Sequence, residues 1–415
     1  MASAPNTKAS LDAMFKDHVA PSVNALIPKH SILQKMMGPL KAADHQQRQF
    51  LWPVALTNEN GVTYGDGTAF SYNDDIAGTY GEAQISSFPI VLKSRVSLSA
   101  ANAMAIDKGT FITRMSLRAG IMKDSLMKRL EIECLYGKSG LGTISGNPSV
   151  DTGPTPDQAT IIFTDASWAP GIWGGMEGCL LECRNGASLV NTNADMTLVS
   201  VDVDNKTIVV SGDNTDLTAL ADTYKIFFKG QYSNGFYGID AQLTNTGTLF
   251  NISASTYNLW KSSAFSVSGA LTMSKVLKAS AKAVAKGGLA EDAILLVSPL
   301  TYEGLNADMA ALRQFDSSYN PTKGENGVEG IVFRGQSGKI TVISHPYMKE
   351  GEAFFGPEKG FRKIGNADLN FGMGGDDYFE KLEGSAGYQL LAQADWCVFV
   401  EKPATWVKLS GITNT

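Results

Sequence analysis

The most constraining feature of the sequence is a proline-free run, Lys108–Tyr136, in which Phe111, Met115, Ala119, Met122, Leu126, Leu130 and Cys134 recur every third or fourth residue. This spacing puts them on one stripe of an α-helix, and Gly137 stands where such a helix ends. At about 1.5 Å per residue the helix is roughly 40 Å long. Its other faces carry Arg114, Arg118, Lys123, Asp124, Lys128, Arg129, Glu131 and Glu133. A helix of that length with one apolar stripe is a spine onto which the rest must pack.

What precedes the helix is thin. Through about residue 50, Leu11, Met14, Phe15 and Val19 follow helical spacing, but Pro21 and Pro28 cut the pattern short. Such a segment cannot bury a core of its own and reads as an arm. From Trp52 to about Ala100, short alternating runs are broken by Asn58-Glu59-Asn60-Gly61, Tyr64-Gly65-Asp66-Gly67 and Asn73-Asp74-Asp75. Residues 85–99, including Val91-Leu92-Lys93-Ser94-Arg95-Val96, read as the return strand of a long two-stranded excursion. An isolated hairpin is marginal in water, so it too is expected to rest on a neighbour.

Residues 138–160 are rich in Gly, Ser, Thr and Pro and mark a boundary. The stretch to about Gly230 is β-rich. Thr197-Leu-Val-Ser-Val-Asp-Val and Lys206-Thr-Ile-Val-Val-Ser flank the turn Asp204-Asn205, and Ile226-Phe227-Phe228 is a further strand. We read this as an inserted β domain. Helix and strand then alternate. Met273, Val276, Leu277, Ala281 and Val284 share a helical face ended by Gly287-Gly288, Ala293–Val297 is a buried strand, and Tyr302, Leu305, Met309, Leu312 and Phe315 form a second amphipathic helix. Strands follow at Gly330-Ile-Val-Phe and Lys339-Ile-Thr-Val-Ile-Ser. Three extended runs, starting at Tyr388, Trp396 and Thr405, close the chain. The fold class is α+β, without internal repeats.

Composition excludes several classes. With 415 residues, 43% hydrophobic and 18% charged, the chain is globular and long enough for two or three compact units. The first ten residues lack a basic region followed by an apolar run, and no apolar stretch approaches the roughly 18 residues that cross a bilayer, so the expectation is a soluble protein made in a cytoplasm. The net charge is −6 and the basic residues form no block, which argues against a dedicated nucleic-acid binder. Cys134 and Cys397 sit in apolar patterns, and Cys179-x3-Cys183 lacks the further ligands a closed zinc site needs.

The motifs that invite chemistry fail on context. Gly137-Lys138-Ser139 follows a helix rather than preceding one, and Ile132 stands where a phosphate loop needs glycine. Gly140-x-Gly142 lacks a third glycine and a following helix. Gly372-Met-Gly-Gly-Asp-Asp lacks the regular oxygen ligands of a calcium loop and reads as a plain turn, as does Asp202-x-Asp204. None of His18, His30, His45 and His345 lies beside a nucleophile signature, and His345-Pro346 reads as the start of a turn. The expectation is no catalytic residue, no metal and no cofactor.

Several stretches together resemble the major capsid proteins of tailed bacteriophages, of the Hong Kong 97 type. Phe15-Lys-Asp-His-Val-Ala-Pro-Ser-Val-Asn-Ala-Leu with Leu33-Gln-Lys-Met resembles their N-terminal arm. Glu82-Ala-Gln-Ile-Ser-Ser-Phe-Pro-Ile-Val-Leu-Lys-Ser-Arg resembles the return strand of their extended loop, and Lys108–Tyr136 their spine helix. Leu249-Phe-Asn-Ile-Ser-Ala-Ser-Thr-Tyr-Asn-Leu-Trp-Lys-Ser and Lys339-Ile-Thr-Val-Ile-Ser-His-Pro-Tyr-Met-Lys-Glu-Gly-Glu-Ala-Phe are similar to parts of their axial domain. Glu401-Lys-Pro-Ala-Thr-Trp-Val-Lys-Leu-Ser-Gly-Ile is similar to their closing strand.

The resemblance implies an arm at 1–55, an extended β loop at 56–103, and a peripheral domain at 104–154. An inserted β-rich domain at 155–235, an axial domain at 236–386 and returning peripheral strands at 387–415 would follow. It also implies a subunit that assembles with itself into pentamers and hexamers of an icosahedral head, made in the bacterial host cytoplasm and residing in the virion. Its implied partners are portal and scaffolding proteins, decoration proteins, and packaged DNA held non-specifically on the inner face, with no membrane. Some members of the family cross-link through a lysine of the loop. Lys93 and Lys108 lie nearby, and a solvated lysine is the ordinary state for each. Two rivals remain: an encapsulin-like compartment shell, which shares the fold, and a β-rich carbohydrate-binding virion protein, which the long helix fits badly.

Overall fold

The computed structural model describes residues 31–45, 48–97, 108–313, 331–372, 379–381 and 387–414. The long helix spans Lys108–Tyr136 as its periodicity requires. Its single apolar stripe holds only partway. Met122, Leu126, Leu130 and Cys134 are buried, but so are Lys128, Glu131 and Glu133, and every residue from 130 to 137 is inside. The second half of the helix is enclosed from several sides. Arg129 stacks on Phe228 of one sheet, while Tyr136 packs against Phe354 of another at 6.2 Å between ring centres.

The excursion before the helix is shorter than its pattern predicts. Phe50–Ala55 pairs antiparallel with Tyr80–Ile85, in register from Phe50 opposite Ile85 to Ala55 opposite Tyr80. The expected return strand over 85–99 is corrected: Pro89–Ser97 leaves the hairpin and pairs antiparallel with Gly387–Val400. Ile90 and Leu92 are half-buried there, so the longer partner offers the alternating run a core that the hairpin lacks. The runs at Tyr388 and Trp396 are likewise one 14-residue strand, Gly387–Val400, which Phe361–Phe371 and Phe379–Lys381 also join.

The β-rich stretch forms an eight-stranded sheet, ordered Gly142–Thr143, Lys225–Phe228, Leu180–Asn185, Met196–Asp202, Thr207–Gly212, Asp157–Ile162 and Ser149–Asp151, with Ser188–Leu189 beside Leu180–Asn185. The hairpin around Asp204-Asn205 forms as read: Asp202 accepts from the backbone N–H of Asp204 and Asn205 at 3.1 and 3.0 Å. The sheet does not own a separate core. Ile161, Trp168, Trp173, Ile208 and Phe228 belong to one cluster with Leu126 and Leu130 of the long helix.

A six-stranded mixed sheet runs Ser263–Gly269, Val407–Ile412, Glu352–Pro357, Ala293–Val297, Gly338–Ser344 and Ile331–Gly335. The helices Met273–Gly287 and Pro299–Arg313 cover one face of it. Ala293, Leu295 and Val297 point towards them, whereas Ile294 and Leu296 enter the larger core. Burial on both faces is why this strand reads as an unbroken apolar run. Gly356 faces Trp406, where a Cβ would lie 2.2 Å from the indole.

Two expectations are corrected here. Leu277 was placed on the buried face of its helix but is 43% exposed; Met273, Val276, Ala279 and Ala283 form that face. The division at residue 387 does not follow the sheets either. Val407–Ile412 lies in the six-stranded sheet between Ser263–Gly269 and Glu352–Pro357, while Phe361–Phe371 pairs with Gly387–Val400. The two sheets therefore exchange strands at the end of the chain.

Candidate functional site

The described surface most in need of a partner is the tip of the hairpin. Beyond Ala55 and Tyr80 no regular ladder continues, and scattered backbone and side-chain hydrogen bonds stitch the two limbs together. The N–H of Asn60 donates to the carbonyl of Ile76 at 2.9 Å, Asn73 Nδ2 to the carbonyl of Val62 at 2.9 Å, and the N–H of Thr79 to Thr57 Oγ1 at 2.7 Å. Phe70 covers Gly65, where a Cβ would come within 2.3 Å of the ring. With no layer beneath it, the loop leaves its large side chains in water: Tyr64 is 92% and Tyr72 86% exposed, and Val62, Phe70, Ile76 and Tyr80 are exposed too. Scattered apolar residues are normal on a surface, but this density on one loop marks an interaction surface. Asp66 accepts from both the hydroxyl and the N–H of Thr68, which hold its carboxyl below the usual value.

The hairpin base is fixed where the tip is not. Trp52 packs against Phe399 at 6.2 Å between ring centres, and the Arg362 guanidinium lies 5.0 Å above the indole. Arg362 pairs with Glu401 and, at 3.3 Å, with Asp44 of the N-terminal segment. That segment is docked mainly by Glu131 of the long helix. The N–H groups of Leu33 and Gln34, in the first turn of the helix Ile32–Met37, donate to its two carboxylate oxygens at 2.6 and 3.3 Å. His345 Nε2 approaches the same carboxylate at 3.0 Å. Ser31, at the N-cap position, makes no side-chain cap, so Glu131 supplies it from another element.

A second polar cluster joins the long helix to the six-stranded sheet. Lys408 pairs with Asp240 and, at 2.7 Å, with Glu352. Lys349 donates to the Gly140 carbonyl at 2.8 Å, over the Tyr136 ring. Burial raises Asp240, but Lys408 and Lys349 outweigh it and hold its carboxyl below the usual value. Burial, helped by the nearby Lys408 and Lys225 ammonium groups, outweighs the pull of Glu352 and Asp240 and lowers Lys349. The charges pair with one another, which is how buried ions are tolerated.

The motifs weighed in the sequence are placed as follows. Gly137 ends the long helix in contact with backbone, since a Cβ there would lie 2.3 Å from the Phe236 carbonyl oxygen. Burial pushes the Cys179 and Cys183 thiols up to about 11 and about 12. His45 forms a backbone bridge with Gly365, His345 is buried against Glu131, and His18 and His30 lie outside the described residues. Most of the glycine cluster after Gly372 also lies outside them. Among the described residues no group of three or more His, Cys, Asp or Glu could hold a metal ion, and no helix is long and apolar enough to cross a membrane. Lys93 is exposed on Pro89–Ser97 and not on the loop; the side chain of Lys108 lies outside the described residues. Sequence reasoning missed the Glu131 junction, because its partners lie 97, 98 and 214 positions away.

By sequence the chain matches no family model and no curated protein. By structure it matches the capsid asymmetric unit of cyanophage A-1(L), with a TM-score of 0.58 at 11% identity, over 98% of this chain and 100% of that one. The fold is that of a phage capsid protein. The capsid of a native GTA particle gives the same result at a TM-score of 0.52 and 9% identity, over 99% and 100% of the two chains. Helix, hairpin and sheets are thus parts of one capsid fold spanning the whole chain.

Proposed function

We propose that this chain is the major capsid protein of a tailed phage, a Hong Kong 97-type subunit that assembles with copies of itself into pentamers and hexamers of an icosahedral head. The observation that carries the reading is the end-to-end match to the cyanophage A-1(L) capsid, which leaves neither chain with an unmatched domain. In this reading residues 31–45 are the inner end of the arm, the hairpin with its tip at 56–79 is the extended loop, and Lys108–Tyr136 is the spine helix. The eight-stranded sheet is the β-rich insertion on the peripheral domain, and the six-stranded sheet with its two helices is the axial domain.

The function is mechanical. A head-to-tail contact repeated around an axis closes into rings, and rings of five and six close a shell. The loop supports this role physically: it exposes aromatic surface that a lone subunit cannot cover. Portal, scaffolding and decoration proteins and packaged DNA are the partners the reading implies. Negative-stain electron microscopy of the purified protein, with size-exclusion chromatography, tests it. Closed shells or rings of five and six are expected; a protein that stays monomeric with scaffold and crowding present contradicts it. Enclosed enzyme in place of DNA would reassign the shell to a compartment.

A further inference from the structure

Two surfaces of this chain are opposite in charge, and both leave apolar groups uncovered. Between Arg48 and Lys93 there is no basic residue, while Glu59, Asp66, Asp74, Asp75 and Glu82 all fall in that interval. The hairpin and its tip are therefore purely acidic as well as aromatic. The counterpart is the helix Met273–Gly287. It contains Lys275, Lys278, Lys282 and Lys286 and no acidic residue. Steps of three and four put the four on one side of the helix. The charge gathering that a linear reading of the sequence overlooks is thus created by folding.

Among the described residues none of these four lysines has a carboxylate partner in an ion pair. Lys275 donates to the carbonyl of Ala270 at 2.8 Å, Lys282 to that of Ala264 at 3.0 Å, and Lys286 to those of Lys261 and Ser262 at 2.7 and 3.1 Å. These acceptors belong to or flank the edge strand Ser263–Gly269, so the row also shields a sheet edge. A carbonyl satisfies an N–H but removes no charge. Burial and the adjacent Lys261 ammonium both lower Lys286 from its usual value. At the Lys286 end the row meets a groove of about 390 Å³ whose lining includes Trp52, Leu56, Leu259, Trp260 and Lys402. Leu259 is 55% exposed there.

We propose that this surface, the lysine row with the groove at its end, receives the hairpin tip of a second copy of the chain. Carboxylates of Asp66, Asp74 and Asp75 would meet the lysines, and the exposed aromatic rings would fill apolar groove. The proposal rests on the self-assembly reading and names the acceptor within it. Its own subunit's tip stands on strands that line the groove wall through Trp52, Pro53 and Val54, so a neighbouring copy is the fitting donor. Duplex DNA is the rival occupant of a lysine row, but DNA would leave the groove and the aromatic tip unexplained.

Charge reversal on full-length protein separates these outcomes. Lys278→Glu with Lys282→Glu is expected to abolish closed shells seen by electron microscopy, and so is Asp74→Lys with Asp75→Lys. Combining all four substitutions is expected to restore them. Thermal melting of the unassembled subunits checks folding, and Lys278→Glu alone, at an exposed position, is the gentler variant. Shells that form normally with both lysines reversed overturn the docking while leaving the shell reading intact. The same holds if shells form but only DNA retention falls, or if the combined variant fails to recover while its subunits remain folded. Failure of the wild type to form shells overturns both.

Discussion

Glu131 Oε1 and His345 Nε2 lie 3.0 Å apart with both side chains sealed from solvent. The tautomer follows from the surrounding bonds. The N–H of Tyr347 donates to His345 Nδ1 at 3.2 Å, so Nδ1 is the acceptor and Nε2 carries the proton given to Glu131. The carboxylate thus gathers donors from the N-terminal segment and from the turn after Gly338–Ser344, while it rides on the long helix. Three distant parts of the chain meet on one side chain.

Replacing Glu131 by Ala leaves these donors unmatched in the core and is expected to cost about 3 kcal/mol or more. Urea denaturation of the unassembled subunit measures the loss. Limited proteolysis should also cut sooner within residues 31–45, because the cap of Ile32–Met37 is gone. Glu131→Gln keeps one acceptor oxygen and should cost less.

Glu133 gives the subunit a pH dependence. Burial pushes its carboxyl up to about 7, against an opposing pull from Arg129 at 3.8 Å. A value raised on folding from 4.5 means that its contribution is complete below about pH 4.5 and lost as pH rises through about 7. Between pH 5 and 8 the loss is on the order of 2 to 3 kcal/mol. Glu133→Gln should flatten the dependence of the urea midpoint over this window; an unchanged slope would assign it to other groups.

Lys408 holds Asp240 and Glu352 together inside the molecule. Burial lowers the lysine, but the two carboxylates outweigh it and hold it above its ordinary value. Lys408→Met should cost about 3 to 5 kcal/mol by leaving buried carboxylates unpaired. Adding Asp240→Asn should recover part of that, and a double-mutant cycle by denaturation reads the coupling.

Replacing residues 56–79 by an Asn-Gly turn between Ala55 and Tyr80 should leave the subunit folded, since of the removed residues only the half-buried Leu56 packs against the core. Its melting temperature should stay near that of the intact chain while shells disappear. Intact particles from this variant would remove the loop from assembly.

Gly356→Ala tests the packing of the six-stranded sheet. The added Cβ would meet the Trp406 indole at 2.2 Å within a strand buried on both faces. Overpacking of this kind costs about 1 to 3 kcal/mol, and more where backbone and indole cannot shift. Lower soluble yield and an earlier melt are the expected readouts.

What the sequence alone determined was local and periodic: the extent of Lys108–Tyr136, the hairpin around Asp204-Asn205 and the buried strand Ala293–Val297. Each follows from side-chain spacing and turn chemistry acting over a few residues. Tertiary structure decided the partners. It gave Pro89–Ser97 to Gly387–Val400 instead of the hairpin, turned Leu277 outward, and moved Val407–Ile412 into the six-stranded sheet. It also enclosed Glu131, Glu133 and Lys128, which the helical pattern assigned to outer faces. A strand's pattern shows which side it buries but not which strand it pairs with. A charged residue's position shows its helical face but not whether another layer covers that face. Both depend on contacts between residues hundreds of positions apart, and no short-range pattern in the sequence records them.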